Sequence, residues 1–335
     1  MRRVLFLLLF TTISCSVSSQ SRFRLMEYNV ENFFDTRHDT LKNDKEFLPG
    51  TVRNWTLNRF WTKLNHISKV IASVADDQLP DVIMLCEVEN DSCMHYLTRR
   101  SPLRVAGYDY LLTCSDDERG IDIALLYQKA TFKPLYHREI NVMSESIGRR
   151  PTRNILHVTG LVQTGDTLDL FLCHMPSRSS GKKATEPYRM HTAGVLRGQV
   201  DSVMQVRSVP RIIITGDFND HPEDRSLQQV LKAGEAVGEM LPCTLYNLMI
   251  GKKPGTYKFQ GQWETIDQLI VNGNLLRQMD GHLYTQPAWV QIHQPSFLLE
   301  EDSKYGGKKP FRTFNGMRYQ GGYSDHLPVC ADFYW

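Results

Sequence analysis

Arg211–Asp220 reads RIIITGDFND: three isoleucines, then a threonine and a glycine, then two aspartates with a phenylalanine and an asparagine among them. A short apolar run closed by glycine reads as a buried strand. Gly, Asp and Asn also suit tight turns. Alone, the segment supports either a turn or a strand that delivers Asp217, Asn219 and Asp220 to a site.

Other apolar runs end in the same way. RLMEYNVEN delivers Asn29 and Glu31, and DVIMLCEVEN delivers Glu87. LDLFLCHMPSR delivers His174, with Ser177 and Arg178 just beyond. ETIDQLIV opens on Asp267, and GGYSDHLPV places Asp325 and His326 before a final apolar run. Each is an ordinary solvated strand end when taken singly, but six such events mixing carboxylate, carboxamide and imidazole point to one site. Loops beyond strand ends are where a rigid scaffold presents catalytic groups.

The rest of the chain sets the frame. Strand-like runs cover 24–29, 82–86, 121–127, 155–162, 168–173, 212–215, 266–271 and 328–334. Helical spacing links Leu64, Ile67, Val70, Ile71 and Val74, and again Ala193, Leu196, Val200 and Val203. Many strands with few helices predict a layered protein built on a mixed sheet. No linker-like stretch divides the chain, so one domain is expected over residues 21–335. The segment His282–Gly322 reads as a long irregular loop.

Met1–Ser19 carries two arginines, an apolar block and small polar residues, the pattern of a secretory signal. Cys15 suits a lipoprotein cysteine and cleavage before Gln20 is the alternative, so an exported protein is expected: periplasmic, extracellular or anchored at the surface, with no membrane span in the mature chain. Without Arg2 and Arg3, 37 basic residues face 37 acidic ones, from 39 in the whole chain. That balance argues against a strongly salt-dependent nucleic-acid binder. None of the seven cysteines forms a CxxC pair, which excludes the usual zinc frameworks. Oligomeric state is left open.

The chemistry is restricted. Carboxylate and carboxamide oxygens are hard ligands that suit Mg²⁺ or Mn²⁺, and imidazole beside carboxylate gives acid–base capacity. There is no phosphate loop of the Gly-Lys-Ser/Thr kind and no Gly-x-Ser-x-Gly elbow around Ser177. The Gly-Asn-His turn of calcineurin-like metallophosphatases is missing too. Metal-assisted phosphoester hydrolysis is what remains.

The order YNVEN, CEVEN, CHMPSR, GDFND, IDQLIV, SDHLPV resembles the endonuclease/exonuclease/phosphatase superfamily with a DNase I-like fold. The resemblance implies an α+β, four-layer α/β/β/α sandwich of two mixed β-sheets. It implies Glu87 as the main metal ligand with Asn29 and Glu31 beside it, and Asp325 as a second metal-side carboxylate. Asp217 would position or deprotonate the attacking water and Asn219 would orient the phosphate. His174 and His326 would meet phosphoryl oxygens, with Asp267 fixing His326. Arg150, Arg153, Ser177 and Arg178 are candidate substrate contacts, with surface charge the competing reading for the first two. Asp122 would orient His174 or face solvent. Lys304, Lys308, Lys309, Arg312 and Arg318, interleaved with aromatics, would bind an anion or form a solvated loop.

Gln268 stands where DNA-repair members carry an aromatic, which counts against DNA-specific contacts. The expected substrate is a phosphodiester such as extracellular nucleic acid, with DNA, RNA, a phosphoinositide, sphingomyelin and a nucleotide all open, and a non-catalytic binding protein on the same scaffold is the remaining alternative.

Overall fold

The computed structural model describes residues 21–143, 145 and 151–335. The expected signal with Cys15, and Arg150, lie outside the described residues. No helix among the described residues is long and apolar enough to cross a membrane.

Two sheets carry the structure. Along the chain come β1 (Arg22–Phe33), α1 (Leu57–Ser73), β2 (Val82–Val88), α2 (Asp91–Arg99), β3 (Asp109–Leu112), β4 (Asp122–Tyr127) and β5 (Phe132–Ile140). β6 (Ile155–Val162), β7 (Thr167–His174), α3 (Lys182–Val206) and β8 (Ile212–Asp217) follow. One six-stranded sheet runs Val290–Ile292, Val329–Tyr334, β1, β2, β4, β3. The other, seven-stranded, runs β5, β6, β7, β8, Asp267–Asn272, Leu245–Asn247, Ala233–Gly234. Both are mixed: β1–β2 and β7–β8 pair in parallel within otherwise mostly antiparallel ladders.

The isoleucine run shows why the sheets stack. Ile213 joins the core between the sheets, with Leu168, Leu170 and Leu172 of β7. Ile212 and Ile214 turn the other way, onto Ala193, Leu196 and Val200 of α3. Successive strand side chains point to opposite faces, and a strand covered on both faces is apolar at every position. Leu64, Ile67 and Val70 of α1 and Met94 and Leu97 of α2 pack into the core of the first sheet. Helix, sheet, sheet and helix give the expected four layers. Thr56 and Asn90 fix where α1 and α2 begin, accepting from the backbone N–H of Arg59 and Cys93.

The segment 282–322 is not the irregular loop its composition predicts. It contributes an edge strand and two hairpins, Leu299–Glu301 with Lys308–Pro310 and Phe314–Asn315 with Arg318–Tyr319. The interleaved aromatics anchor it: Phe314 is buried against Phe47 and Trp55, and Arg59 stacks over Tyr319. Cys86, Cys173 and Cys330 are buried and unpaired, as strand hydrophobes should be.

Gly216, in the opening motif, has φ +137°, and a Cβ there would lie 1.8 Å from the carbonyl oxygen of Cys173. Gly165 shares a positive φ of +84° but has open space around it. Gly216→Ala should therefore lose about 3 kcal/mol or more, and Gly165→Ala only about 1 kcal/mol, in denaturant unfolding. Equal losses would mean that close approach of β7 to β8 is not what requires the glycine.

Candidate active site

Strand register brings the sequence-distant groups together. His174 ends β7 directly opposite Asp217 at the end of β8, and Asp267 opens the neighbouring strand opposite Asp217 on its other side. In the first sheet, Asn29 pairs with Cys86, one residue before Glu87. His326 enters from the approach to the last strand, which runs antiparallel to β1. Both sheets thus empty their chemistry at the same end.

The corners are tight. Glu31, Asn32, Glu87 and Asn219 all have left-handed φ, between 51° and 66°. The β1–β2 and β2–β4 ladders slip register beside the first three. Left-handed backbone is costly for residues other than glycine, and its clustering marks functional corners more often than ordinary turns.

Asp217 is the hub. Its Oδ2 accepts from Asn29 Nδ2 at 3.1 Å and lies 3.6 Å from His174 Nε2 and 3.9 Å from His326 Nε2. Its Oδ1 accepts from the backbone N–H of Asn219 at 2.8 Å. Burial pushes its pKa up to about 7, in spite of the pull of His326, and Asp267 adds to the rise. His326 Nδ1 sits 2.8 and 3.0 Å from the two oxygens of Asp267. Burial disfavours charge on His326, but Asp267, with Asp217 and Asp325, outweighs it and holds the pKa well above the ordinary imidazole value. His174 goes the other way. Burial lowers its pKa well below that value, and Arg153, Arg119 and His326 lower it further. The two imidazoles that flank this one carboxylate are therefore pushed in opposite directions, a separation that suits them to distinct acid–base roles.

These groups open onto a cleft of about 630 Å³ lined by Glu87, Arg119, His174, Ser177, Arg178, Lys182, Asp217, Asn219, Tyr257, Phe259, Asp325 and His326, among others. The donor set fits a hard divalent cation on the Glu87 side. Glu87 and Asp325 are carboxylates lining the cleft; Asn29 lies outside the lining, its Nδ2 donating to Asp217 and its Oδ1 accepting from the Glu31 N–H at 3.0 Å. Behind the lining, burial raises Glu31 to about 7, with Asp325 adding to the rise; burial works against charge on Asp325 too, but Arg312, His326 and Lys63 hold its carboxyl below the usual carboxylate range. Asp217, Asp267 and His326 also place ligand atoms within 4.8 Å of one another. That trio suits a metal poorly, because a protonated imidazole has no lone pair to give and Asp267 is already bonded to it.

Not every expected residue reaches the cleft as expected. Glu31 lies outside the lining: its carboxylate accepts from the backbone N–H of Thr313 and Phe314, at 2.6 and 3.1 Å. Asp325 lines the cleft but is bonded to Arg312 at 2.6 Å. Asp122 does not touch His174; it accepts from Thr113 Oγ1 and the Ser115 N–H. Arg153 is buried rather than surface charge, pairing with Asp117 at 3.0 Å and donating to the Met175 carbonyl. Arg178 lines the cleft in an ion pair with Glu264, and Ser177 Oγ accepts from the Ser179 N–H. Asp220 faces inward to Arg189 at 2.8 Å. Gln268 is fully buried, donating to the carbonyls of Asp220 and Thr265, so it cannot report on the substrate. None of Lys304, Lys308, Lys309 and Arg318 lines the cleft.

Sequence reading also missed groups. Arg119 and Tyr257 line the cleft. Glu27 is buried with neither carboxylate oxygen bonded, its pKa pushed well up by burial and by Asp267. The available signal for Glu27 was its spacing: two residues before Asn29 in a strand, it shares that residue's face.

In metal-free protein, the His326 ring should titrate well above pH 6.5 and the His174 ring well below it. Asp267→Asn should bring His326 back towards or below about 6.5, read by imidazole NMR. An unmoved His326 midpoint would show that Asp267 does not set its charge.

Comparison with known proteins agrees with this geometry. A sequence profile described as the Endonuclease/Exonuclease/phosphatase family matches residues 24–333. No curated protein matches the sequence. Among solved structures, an endonuclease/exonuclease/phosphatase family protein from Bacteroides thetaiotaomicron superposes with a TM-score of 0.58 at 16% identity, covering 94% of this chain and 98% of that one. The mannosyl-6-phosphatase of B. thetaiotaomicron VPI-5482 gives 0.58 at 15% identity, covering 93% and 100%. A D. rerio TDP2 humanised by 14 mutations gives 0.56 at 16% identity, covering 94% and 99%. At these identities the likeness is one of fold. The family profile, spanning nearly the whole chain, decides the rest: this chain belongs to the Endonuclease/Exonuclease/phosphatase family, hydrolases of phosphoester bonds on a DNase I-like sandwich.

Proposed function

We propose that the protein is an exported, divalent-metal-dependent phosphoesterase that cleaves a phosphodiester by attack of water. One observation carries this reading: Asp217 Oδ2 stands between two histidines, 3.6 Å from His174 Nε2 and 3.9 Å from His326 Nε2, in a single cleft that also presents Glu87. Glu87, with Asn29 and Asp325 alongside, would hold Mg²⁺ or Mn²⁺, which supplies Lewis-acid stabilisation of charge on the phosphoryl group.

The protein's own residues do the rest. Asp217, with a pKa raised to about 7 by burial, is poised to orient a water and take its proton near neutral pH. Asn219 is held at the cleft wall by its bond to the Met175 carbonyl, where its amide can orient a phosphoryl oxygen. His326, charged and fixed by Asp267, donates a proton-bearing Nε2 to the oxygen that gains charge. His174, neutral, donates or accepts without adding charge beside Asp217. Extracellular nucleic acid is one candidate diester. A phosphatase acting on a phosphoinositide, a phospholipid or a nucleotide is the second reading, and the half-exposed Arg119 on the cleft wall favours it by offering charge to a monoester dianion.

Residues 20–335, assayed with Mg²⁺ or Mn²⁺ against DNA, RNA, phosphoinositides, sphingomyelin, nucleotides and a chromogenic diester, should turn over a phosphoester. Activity undiminished in excess chelator would sink the metal-dependent reading. Glu87→Gln should lose at least about a hundredfold in kcat while its circular dichroism stays unchanged.

His326→Ala and Asp267→Asn should each lose about a hundredfold or more, and the double variant little beyond the worse single. Losses that multiply would show that the two residues act separately.

A further inference from the structure

The proposed metal-binding and acid–base chemistry gives Arg119 no part of its own. Its guanidinium lies 3.8 Å from Glu87 Oε2 and is bonded to the side-chain oxygen of Asn32, a neutral acceptor. The other cations around the cleft are committed elsewhere: Arg178 to Glu264, Lys182 to Asp224 at 2.8 Å, and buried Arg153 to Asp117. Among these, Arg119 alone is paired with the carboxylate placed to hold the metal.

Its anchoring suits a side chain that changes partner. The backbone N–H of Arg119 donates to Asp117 Oδ1 at 3.0 Å, and Gly120 behind it turns with φ +73° against Lys42. The base is fixed, while the side chain remains 45% exposed. Arg119 also lines a second cavity of about 350 Å³ that shares Ser177 and Ser179 with the cleft, so it stands on the seam between them.

We propose that Arg119 is a displaceable counter-charge. It neutralises Glu87 in the metal-free cleft, competes there with a divalent cation, and binds the phosphoryl oxygens of the substrate when the cation holds Glu87. A planar guanidinium is the side chain suited to both partners, since it pairs with carboxylate and phosphate in the same two-pronged geometry. Two like charges cannot both be served by one carboxylate at no cost, so removing Arg119 should help the metal and harm the substrate. This inference rests on the metal-dependent reading above.

The test measures Mn²⁺ binding by electron paramagnetic resonance, together with inhibition by inorganic phosphate. Arg119→Ala should bind Mn²⁺ about two- to fivefold more tightly than wild type, the scale of a partly exposed ion pair. Its phosphate inhibition constant should rise about tenfold, the loss of a charged hydrogen bond. Arg119→Lys keeps the charge and should bind Mn²⁺ as wild type does, which separates charge from packing. Unchanged or weaker Mn²⁺ binding by Arg119→Ala overturns the proposal, and so does unchanged inhibition by phosphate. If wild type binds no Mn²⁺ at all, the metal-dependent reading falls and this inference with it, a result distinct from the other two.

Discussion

The bond between His326 and Asp267 joins the two sheets at the end where the cleft opens, and much else follows from it. Asp267 opens a strand of the seven-stranded sheet, while His326 belongs to the approach to the last strand of the six-stranded one. The residues are both buried, so neither could carry charge alone without a penalty of several kcal/mol. Together they form a compensated pair, and the carboxylate of Asp217 can then be buried beside them. Burial, with Asp267 adding to it, pushes the Glu27 carboxyl well above the ordinary range, and neither of its oxygens has a partner to stabilise a further charge.

A second buried network holds the segment that carries His326. Glu31 accepts two backbone N–H groups of residues 313 and 314, Lys63 reaches Thr313 and the Tyr323 carbonyl, and Arg312 joins Glu31 to Asp325. Ser324 Oγ then donates to the Asn29 carbonyl. Burial lowers Lys63 to about 8, although Glu31 and Asp325 oppose the shift, so the network holds its charge because its members neutralise one another. The stretch before the final strand is therefore set by β1, the same strand that carries Asn29. Position of the histidine and position of the carboxamide are one structural fact.

What the sequence made legible follows the same physics. The long strands covered on both faces announce themselves as unbroken apolar runs, so β1, β2, β4, β6, β7, β8 and the strands at 267–272 and 329–334 could be read directly. β5 could not, because its middle is solvent-exposed and its composition, FKPLYHREI, is polar. The hairpins of 299–319 are two or three residues a strand, too short for any period to show. In the site, groups placed at strand ends were legible, since the strands themselves locate them. Partnerships across sequence were not: that Glu31 serves Thr313, that Arg153 serves Asp117, or that Gln268 closes a buried amide network depends on packing that no local pattern carries.

The difference between the two histidines condenses how this fold makes a site. His174 and His326 have the same chemistry, nearly the same burial, and almost the same distance to Asp217. Only their other neighbours differ. His174 comes off a strand end within the field of Arg153 and Arg119, and its Nδ1 has no partner. His326 comes from the opposite sheet with Asp267 on its Nδ1 and Asp325 next to it in sequence. Burial alone would discharge both rings; a carboxylate within hydrogen-bond reach reverses that for one of them. Because the carboxylate comes from a strand end and the two cations from separate connecting segments, the asymmetry belongs to the stacking of the sheets and not to any one motif. Substituting the ring itself is therefore a coarser intervention than moving its partner, which changes the charge and leaves the geometry in place.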